Sequence, residues 1–330
     1  MSSFKALRVH QDGKQVEARL ESMDVEQLAE GAVVIRAQWS GINFKDALAV
    51  TGKGKIMRSF PMNAGIDVSG VVETSEDPRF KPGQEVLVTG CGLGEERDGG
   101  FAGYARVPGD AVVHLPEGMS LRDAMAIGTA GFTAGMALVR MEQNGQHPDL
   151  GPILVNGATG GVGSFAVRLF SRAGYPVTAL TGKQDAADYL RNLGATEVVD
   201  TATLEMGSRP LEKSLWGGAV DNLGGESLAW LTRTVHPWGN IGAIGLAAGI
   251  ELNTTVMPFI LRGVSLLGIN SVHCSRDLRL AVWRRLGELL RSEDYADIVQ
   301  AETGLEGVRE TAEQMLSRKT RGRTLVRLGD

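Results

Sequence analysis

Over the first 115 residues the apolar positions fall in short runs separated by turn residues. The runs cover 33–39, 68–73, 85–89 and 104–107. They are too short for a helical bundle, and separators such as Lys81-Pro82-Gly83 and Asp98-Gly99-Gly100 predict an antiparallel, strand-rich domain. The pattern changes at Ser120, a residue type that caps helices, ahead of a helical run over 121–141. Beyond it, buried-strand and amphipathic patterns alternate: strand 153–155, helix 162–172, strand 177–181, helix 185–193. Apolar strands at 197–199, 219–223, 241–246 and 264–269 bring the count to six, which suits a doubly wound parallel sheet of the dinucleotide-binding kind. Helical patterns over 277–290 and 307–316 and a strand over 323–328 follow. They are expected to return to the first domain. The expected division is therefore 1–122 with 272–330 as a β-rich domain and 123–271 as the parallel-sheet domain.

Size and charge narrow the picture. A chain of 330 residues exceeds the roughly 250 to 300 at which one hydrophobic core stops growing, so two domains are the default. A net charge of -5 argues against a nucleic-acid partner, which calls for a basic face. Cys91 and Cys274 form neither a disulfide framework nor a C-x-x-C pair, and they are expected to be reduced thiols in a cytoplasmic protein. No basic segment followed by an apolar stretch opens the chain, and no run nears about 18 uninterrupted apolar residues. Secretion and membrane insertion are not expected.

The strongest motif is Gly157-Ala158-Thr159-Gly160-Gly161-Val162-Gly163, set between a strand and a helix. Glycines let the chain turn tightly and let backbone N–H groups approach a pyrophosphate at a helix N-terminus. An ordinary glycine turn is the competing reading, and Ala158 at the first glycine position is a departure. About 20 residues on, an acidic residue would hold the ribose 2'-hydroxyl of NAD; here the strand ends in Thr181-Gly182-Lys183. A hydroxyl, a glycine and an ammonium suit the 2'-phosphate of NADPH, which a carboxylate would repel. Arg318 or Arg323, from the basic cluster near the end, is a candidate second cation.

Further motifs extend from one end of the chain to the other. They are Ser40-Gly41-Ile42-Asn43-Phe44-Lys45-Asp46-Ala47, Thr51-Gly52-Lys53-Gly54-Lys55, Gly65-Ile66-Asp67, Gly128-Thr129-Ala130-Gly131-Phe132-Thr133-Ala134, Thr255-Val256-Met257-Pro258-Phe259-Ile260-Leu261-Arg262 and Gly322-Arg323-Thr324-Leu325-Val326. With the glycine loop, they resemble the medium-chain dehydrogenase/reductase superfamily and, within it, the YhdH/YhfP-type quinone oxidoreductase branch that includes acrylyl-CoA reductases. The resemblance implies an α/β protein with a GroES-like β-rich catalytic domain and a Rossmann NADPH-binding domain, paired as a homodimer through the last Rossmann strands. By position it implies cofactor contacts at Phe44, Thr159, Gly160, Gly161, Val162, Thr181, Gly182, Lys183, Leu246, Ile260, Ser271 and Arg318. Phe44 stands where relatives often carry Tyr. Thr201 stands where an Arg can help hold the 2'-phosphate, which leaves Lys183 a larger share.

Zinc-dependent members place a Cys within the stretch that reads Ile42-Asn43-Phe44 here, and Gly-His-Glu where this chain has Gly65-Ile66-Asp67. Those ligands are missing, and no four-cysteine lobe follows, so no metal site is expected. Without a Lewis acid, an activated carbon–carbon double bond is easier to reduce than a carbonyl. Hydride goes to Cβ, and the protein must stabilise an enolate-like oxygen. Asn43 is the leading side-chain donor, against a purely turn-fixing role. Asp46 is expected to orient its neighbours. Thr129 resembles a residue that lines the nicotinamide pocket, or else is a small residue at a helix kink. Lys53, Lys55 and Arg58 form a basic loop in an acidic protein, read either as meeting the phosphates of a coenzyme A thioester or as solvated. The expected function is NADPH-dependent reduction of a short 2-enoyl-CoA, best acrylyl-CoA to propionyl-CoA. The alternatives are quinone or enone reduction and non-catalytic NADPH binding.

Overall fold

The computed structural model describes residues 3–329; Met1 and Ser2, at the head of the N-terminal segment, and Asp330 lie outside the described residues. The chain opens with a hairpin, β1 (Phe4–Asp12) and β2 (Gln15–Met23). Then come β3 (Val33–Gly41), α1 (Phe44–Thr51), β4 (Met62–Asn63), β5 (Asp67–Ser75), β6 (Glu85–Thr89), β7 (Tyr104–Val107) and β8 (Val113–His114). The long helix α2 (Leu121–Gln143) follows. Next are β9 (Ile153–Val155), α3 (Gly161–Arg172), β10 (Val177–Thr181), α4 (Ala187–Asn192) and β11 (Glu197–Asp200). They lead into β12 (Trp216–Asp221), α5 (Gly225–Thr234), β13 (Val235–Ala243), α6 (Met257–Arg262) and β14 (Ser265–Gly268). The last elements are α7 (Arg276–Leu289), α8 (Ser292–Ala296), β15 (Val299–Thr303), α9 (Val308–Leu316) and β16 (Arg323–Arg327).

Two compact units result. The first comprises 1–129, 272–281 and 298–330; the second comprises 130–271 and 282–297. In the first, β15-β16-β3-β5-β6-β8 run side by side with β7 also on β3, and β2-β1-β4 form a small second sheet. Pairing in this unit is antiparallel except between β15 and β16. Its core is the alternate inward side chains, Val33, Ile35, Val68, Val72, Val86 and Val88 among them, as expected of sheets with one covered face.

In the second unit the sheet is wholly parallel, in the order β11-β10-β9-β12-β13-β14. Counted from β9 this is 3-2-1-4-5-6, the doubly wound arrangement whose order reverses between β9 and β12. Ile153, Leu154 and Val155 are fully buried, as a strand covered on both faces requires.

Ser120 caps α2 as its residue type predicts. Its hydroxyl accepts from Asp123 N, and its own N–H donates to the Asp123 carboxylate, both at 3.1 Å. α2 is long and apolar enough to cross a membrane, but 89% of its most apolar window is packed inside the protein, as in a core helix. The hydrophobic pattern predicts neither the β1–β2 hairpin, the short strands β4, β8 and β15, nor the helices α1, α5, α6 and α8. The hairpin carried a signal, Asp12-Gly13, and Gly13 takes the left-handed φ of 58° that such a turn demands.

Candidate functional site

The first unit gathers a buried polar cluster from four distant stretches of chain. β3 ends at Gly41, and Asn43 stays extended (φ -112°, ψ 163°) so that α1 starts at Phe44. Three residues on, the Asp46 carboxylate accepts from Asn43 N at 2.8 Å and closes this start. The other Asp46 oxygen accepts from Ile66 N at 2.9 Å, which fixes the approach to β5. Asp67 opens β5 at zero exposure, and Ser40 Oγ donates to its carbonyl at 2.6 Å.

The third stretch is the kink in α2. Gly128 leaves helical geometry (φ 49°, ψ -159°), which frees the next N–H. Thr129 N then donates to Asp67 Oδ2 at 2.8 Å and Thr129 Oγ1 to Asp67 Oδ1 at 2.6 Å. Glycine is needed there twice over: the φ is left-handed, and a Cβ would stand 2.6 Å from Arg323 Nη2 and Asp67 Oδ2.

Arg323, on β16, is the fourth. Its guanidinium is 2% exposed and donates to Ile42 O and Asn43 Oδ1 at 2.9 Å, and to Met125 O and Ala126 O at 3.3 Å. It reaches Asp67 at 3.7 Å. Burial depresses its affinity for a proton, and the Asp67 and Asp46 charges oppose that effect. Burial and then the nearby Asp67 charge push the Asp46 carboxyl up to about 7, against hydrogen bonds from Asn43 and Ile66.

These contacts correct two expectations. The Asn43 amide donates to Asp67 at 2.8 Å, Asp46 at 3.1 Å and Gly41 O at 3.3 Å, while its oxygen accepts from Arg323. Both halves of the side chain are engaged inside the protein, so Asn43 fixes the turn and has no free donor for a substrate oxygen. Arg323 is equally removed from the role of second cation for the cofactor, because its donors are aimed inward at the cluster. Asp46 accepts from Asn43 N and Ile66 N, which ties the start of α1 to the approach to β5. Thr129 is the most accessible of the three residues read as catalytic, half-buried, with its hydroxyl oriented by Asp67.

Lys53 and Lys55 are exposed and make no ion pair among the described residues, whereas Arg58 is paired with Glu96 at 2.9 Å. Phe44 stands half exposed at the start of α1, and Arg318, just beyond α9, takes a left-handed φ of 58°.

In the second unit the motif from Gly157 to Gly163 turns between β9 and α3. Gly157 takes φ 55°, and a Cβ at Gly163 would crowd Gly157 O and stand 2.7 Å from Ala158 Cα. The helix therefore sits on the turn at a distance only glycine allows. Gly160, by contrast, has room for a Cβ, with its one near neighbour at 3.5 Å. Thr159 is buried, while Gly160, Gly161 and Val162 reach the surface at the start of α3.

At the end of β10, Lys183 N donates to Thr181 Oγ1 at 3.1 Å. Gly182 is exposed, and a Cβ there would lie 2.9 Å from Thr201 Oγ1, so Thr181, Gly182, Lys183 and Thr201 converge. Asp200 pairs in register with Thr181, but its carboxylate accepts from Ala202 N and caps the next turn. These groups and the open glycine turn fit a phosphate-bearing dinucleotide. Leu246 and Ile260 are largely exposed, and Ser271 ends the segment after β14.

The pattern reading missed a second buried cluster at the strand-order reversal. Asn156, after β9, donates through Nδ2 to Asp221 and, at 2.9 Å, to Ser227 Oγ; its Oδ1 accepts from Asn222 N at 2.6 Å. Burial pushes the Asp221 carboxyl up. Asn222 Oδ1 is buried with no hydrogen-bond partner. An Asp-Asn pair closing an otherwise apolar strand was the available signal.

A β-rich domain with a kinked helix anchored on Asp67, joined in one chain to a 3-2-1-4-5-6 sheet with a glycine turn, defines an oxidoreductase of the alcohol dehydrogenase type. Residues 29–117 match the alcohol dehydrogenase GroES-like domain and residues 161–308 the zinc-binding dehydrogenase family. The chain belongs to this medium-chain dehydrogenase/reductase superfamily, in its YhdH/YhfP-type branch. It is 45% identical to the putative quinone oxidoreductase YhfP of Bacillus subtilis (strain 168), over 98% of this chain and 99% of that one. It is 46% identical to the probable acrylyl-CoA reductase AcuI of Escherichia coli (strain K12), over 96% and 97%. Among solved structures, the Salmonella enterica yhdH oxidoreductase in complex with NADP superposes with a TM-score of 0.95 at 45% identity, covering 98% of this chain and all of that one. The Bacillus subtilis protein yhfP with NAD bound gives 0.96 at 44%, covering 99% and 100%.

Zinc, which one family description names, does not fit this chain. Among the described residues no three His, Cys, Asp or Glu side chains group around a metal position. Asn43 and Asp67, within the two stretches where zinc-dependent members carry ligands, flank the Arg323 guanidinium instead.

Proposed function

We propose that the chain catalyses NADPH-dependent reduction of the activated carbon–carbon double bond of a short 2-enoyl-CoA, with acrylyl-CoA to propionyl-CoA placed first. The observation that carries this reading is the end-to-end likeness to a probable acrylyl-CoA reductase. The polar cluster without a metal donor set supports it, since an enone-type acceptor needs no Lewis acid.

When bound, NADPH supplies the hydride. The N–H groups at the start of α3 and the Gly157–Gly163 turn hold its pyrophosphate. Thr181, Lys183 and Thr201 hold the 2'-phosphate, with Gly182 leaving room. Phe44, Leu246, Ile260, Ser271 and Arg318 complete the expected contacts. In the first unit Asp67, locked by Thr129, Asn43 and Arg323, keeps the Thr129 hydroxyl in one orientation. The one proton of that hydroxyl is committed to Asp67, so toward a substrate it offers acceptor lone pairs in a preset direction and is not a donor for an enolate oxygen.

NADPH oxidation followed by absorbance, with acrylyl-CoA, crotonyl-CoA and a benzoquinone as separate acceptors, tests the reading. NADH and a chelator serve as controls. Fast, chelator-insensitive turnover of acrylyl-CoA is expected; turnover with the quinone alone would transfer the function to the quinone or enone reading, which the name of the Bacillus relative favours. No turnover with any acceptor would leave a cofactor-binding protein. Two further readings accompany the main one. The free Cys91 and Cys274 fit a cytoplasmic setting. Exposed Trp238, Val256, Ile260 and Leu261, around α6 and the open edge strand β14, fit a homodimer, which sedimentation checks.

A further inference from the structure

A cavity of about 380 Å³ opens in the first unit, within the size range of small-molecule sites. Its wall is built from three stretches: Cys91 and Glu96 after β6, Asp110 and its neighbours after β7, and Cys274, Arg276 and Arg279 leading into α7. Thr89, the last residue of β6, pairs in register with Asp67, and Cys91 follows two residues later. Arg279 ties the first and last of these stretches together, donating through Nη1 to Thr89 O at 2.7 Å. The cavity therefore begins where β6 leaves the Asp67–Thr129 cluster.

Its charge is unbalanced. Of the carboxylates on the wall, Glu96 pairs with Arg58 at 2.9 Å, and Asp110 shares Arg79, at 2.8 Å, with the neighbouring Asp77 at 2.6 Å; Arg276 also lends Asp77 some positive charge from a longer distance. Arg276 has no carboxylate in ion-pair reach among the described residues. Its Nη1 donates to Val112 O at 2.9 Å and Asp110 O at 3.0 Å, while Nη2 and Nε make no hydrogen bond among those residues. Carbonyls orient a guanidinium without neutralising it, and such a fork suits a phosphate oxygen pair.

We propose that this cavity binds a phosphate ester on the arm of the thioester substrate, with Arg276 as the contacting cation. The inference rests on the enoyl-CoA reading. It adds a phosphate contact at Arg276 to the basic loop of Lys53 and Lys55, whose third member, Arg58, is paired with Glu96.

The two thiols on the wall provide the assay. Wild-type protein is alkylated with iodoacetamide and the extent at Cys91 and Cys274 read by peptide mass mapping, with and without adenosine 3',5'-bisphosphate, 4'-phosphopantetheine or NADPH. Burial pushes the Cys91 thiol up and slows its alkylation, so Cys274 is the principal reporter. At least five-fold slower alkylation of Cys274 with one of the two organic phosphates is expected, and which one protects tells the 3'-phosphate from the phosphopantetheine phosphate. Arg276→Glu should abolish the protection, and Arg276→Gln, which keeps a donor for the carbonyls, should abolish most of it; Tm verifies the fold of each. Protection by NADPH alone, by neither phosphate, or undiminished in both variants would overturn the inference. Loss of protection with acrylyl-CoA turnover intact would sink only this site, whereas protection without turnover would sink the enoyl-CoA reading and leave the phosphate site standing.

Discussion

Both units bury a polar cluster beside their expected working surface, and the two clusters are built on opposite principles. The first sets the Asp67 carboxylate against a guanidinium with the Asp46 carboxyl nearby, and its hydrogen bonds close on one another from α1, β5, α2 and β16. The second holds one carboxylate, Asp221, by the Asn156 amide and the Gly224 N–H, with no cation in ion-pair reach and Asn222 Oδ1 unpartnered among the described residues. A closed ionic cluster fixes geometry: each member is over-determined, and a substrate meets a preset hydroxyl. The more open cluster at the strand-order reversal leaves a buried acceptor without a partner among the described residues, which is unfavourable until something donates to it.

The sharpest way to break this contrast is Arg323→Ala. It leaves two buried carboxylates without their cation and should lower stability by about 3 to 5 kcal/mol in urea denaturation. A loss under about 1 kcal/mol would mean that the cluster is not ionic in the folded protein. In the second unit, Gly163→Ala should act mainly on the cofactor. The added methyl meets backbone that cannot move aside, which costs about 1 to 3 kcal/mol, and the Kd for NADPH measured by fluorescence should rise at least roughly tenfold. Gly160→Ala, with open space, is the control.

Lys183→Ala removes a charge-assisted contact to the 2'-phosphate worth about 1.5 to 3 kcal/mol. The Kd ratio of NADPH to NADH should rise by roughly one to two powers of ten; an unchanged ratio would assign phosphate recognition elsewhere. The smallest effect is a pH slope. Asp46 in the folded protein holds its proton up to about 7, far above its usual value of 3.8, so the folded state binds more protons between those limits. Stability contributed by this group is then present at the acid end and declines as pH rises toward 7, at no more than about 1.4 kcal/mol per pH unit. Asp46→Asn should flatten Tm against pH across that window, and an unaltered slope would place the titration on another group.

Much of the architecture could be read from local pattern. The runs at 85–89, 104–107, 153–155 and 177–181 became strands with those bounds, because alternation or continuous burial leaves a mark within a few residues. The short helices α1 and α6 left none, as six to eight residues carry too little periodicity. On the cofactor side the glycine turn and Thr181-Gly182-Lys183 are contiguous motifs, so residue types and spacing announced their chemistry.

The first-unit cluster was different. Asn43 and Arg323 lie 280 residues apart, and each taken alone suggested a ligand contact, a donor for a substrate oxygen and a cation for a phosphate. Folding turned both inward. Which atoms a buried amide and guanidinium satisfy depends on what surrounds them in three dimensions, and unpaired burial is unfavourable enough that the fold completes the pairing. The sequence by itself determined the strands, the doubly wound sheet and the nucleotide chemistry, all set by short-range periodicity and contiguous backbone turns. Only the tertiary structure decided that Asn43 and Arg323 are scaffold, that Gly128 is the hinge presenting Thr129 to Asp67, and that Arg276 lines a cavity with no carboxylate in ion-pair reach among the described residues. Those outcomes depend on long-range partners that no local stretch of residues encodes.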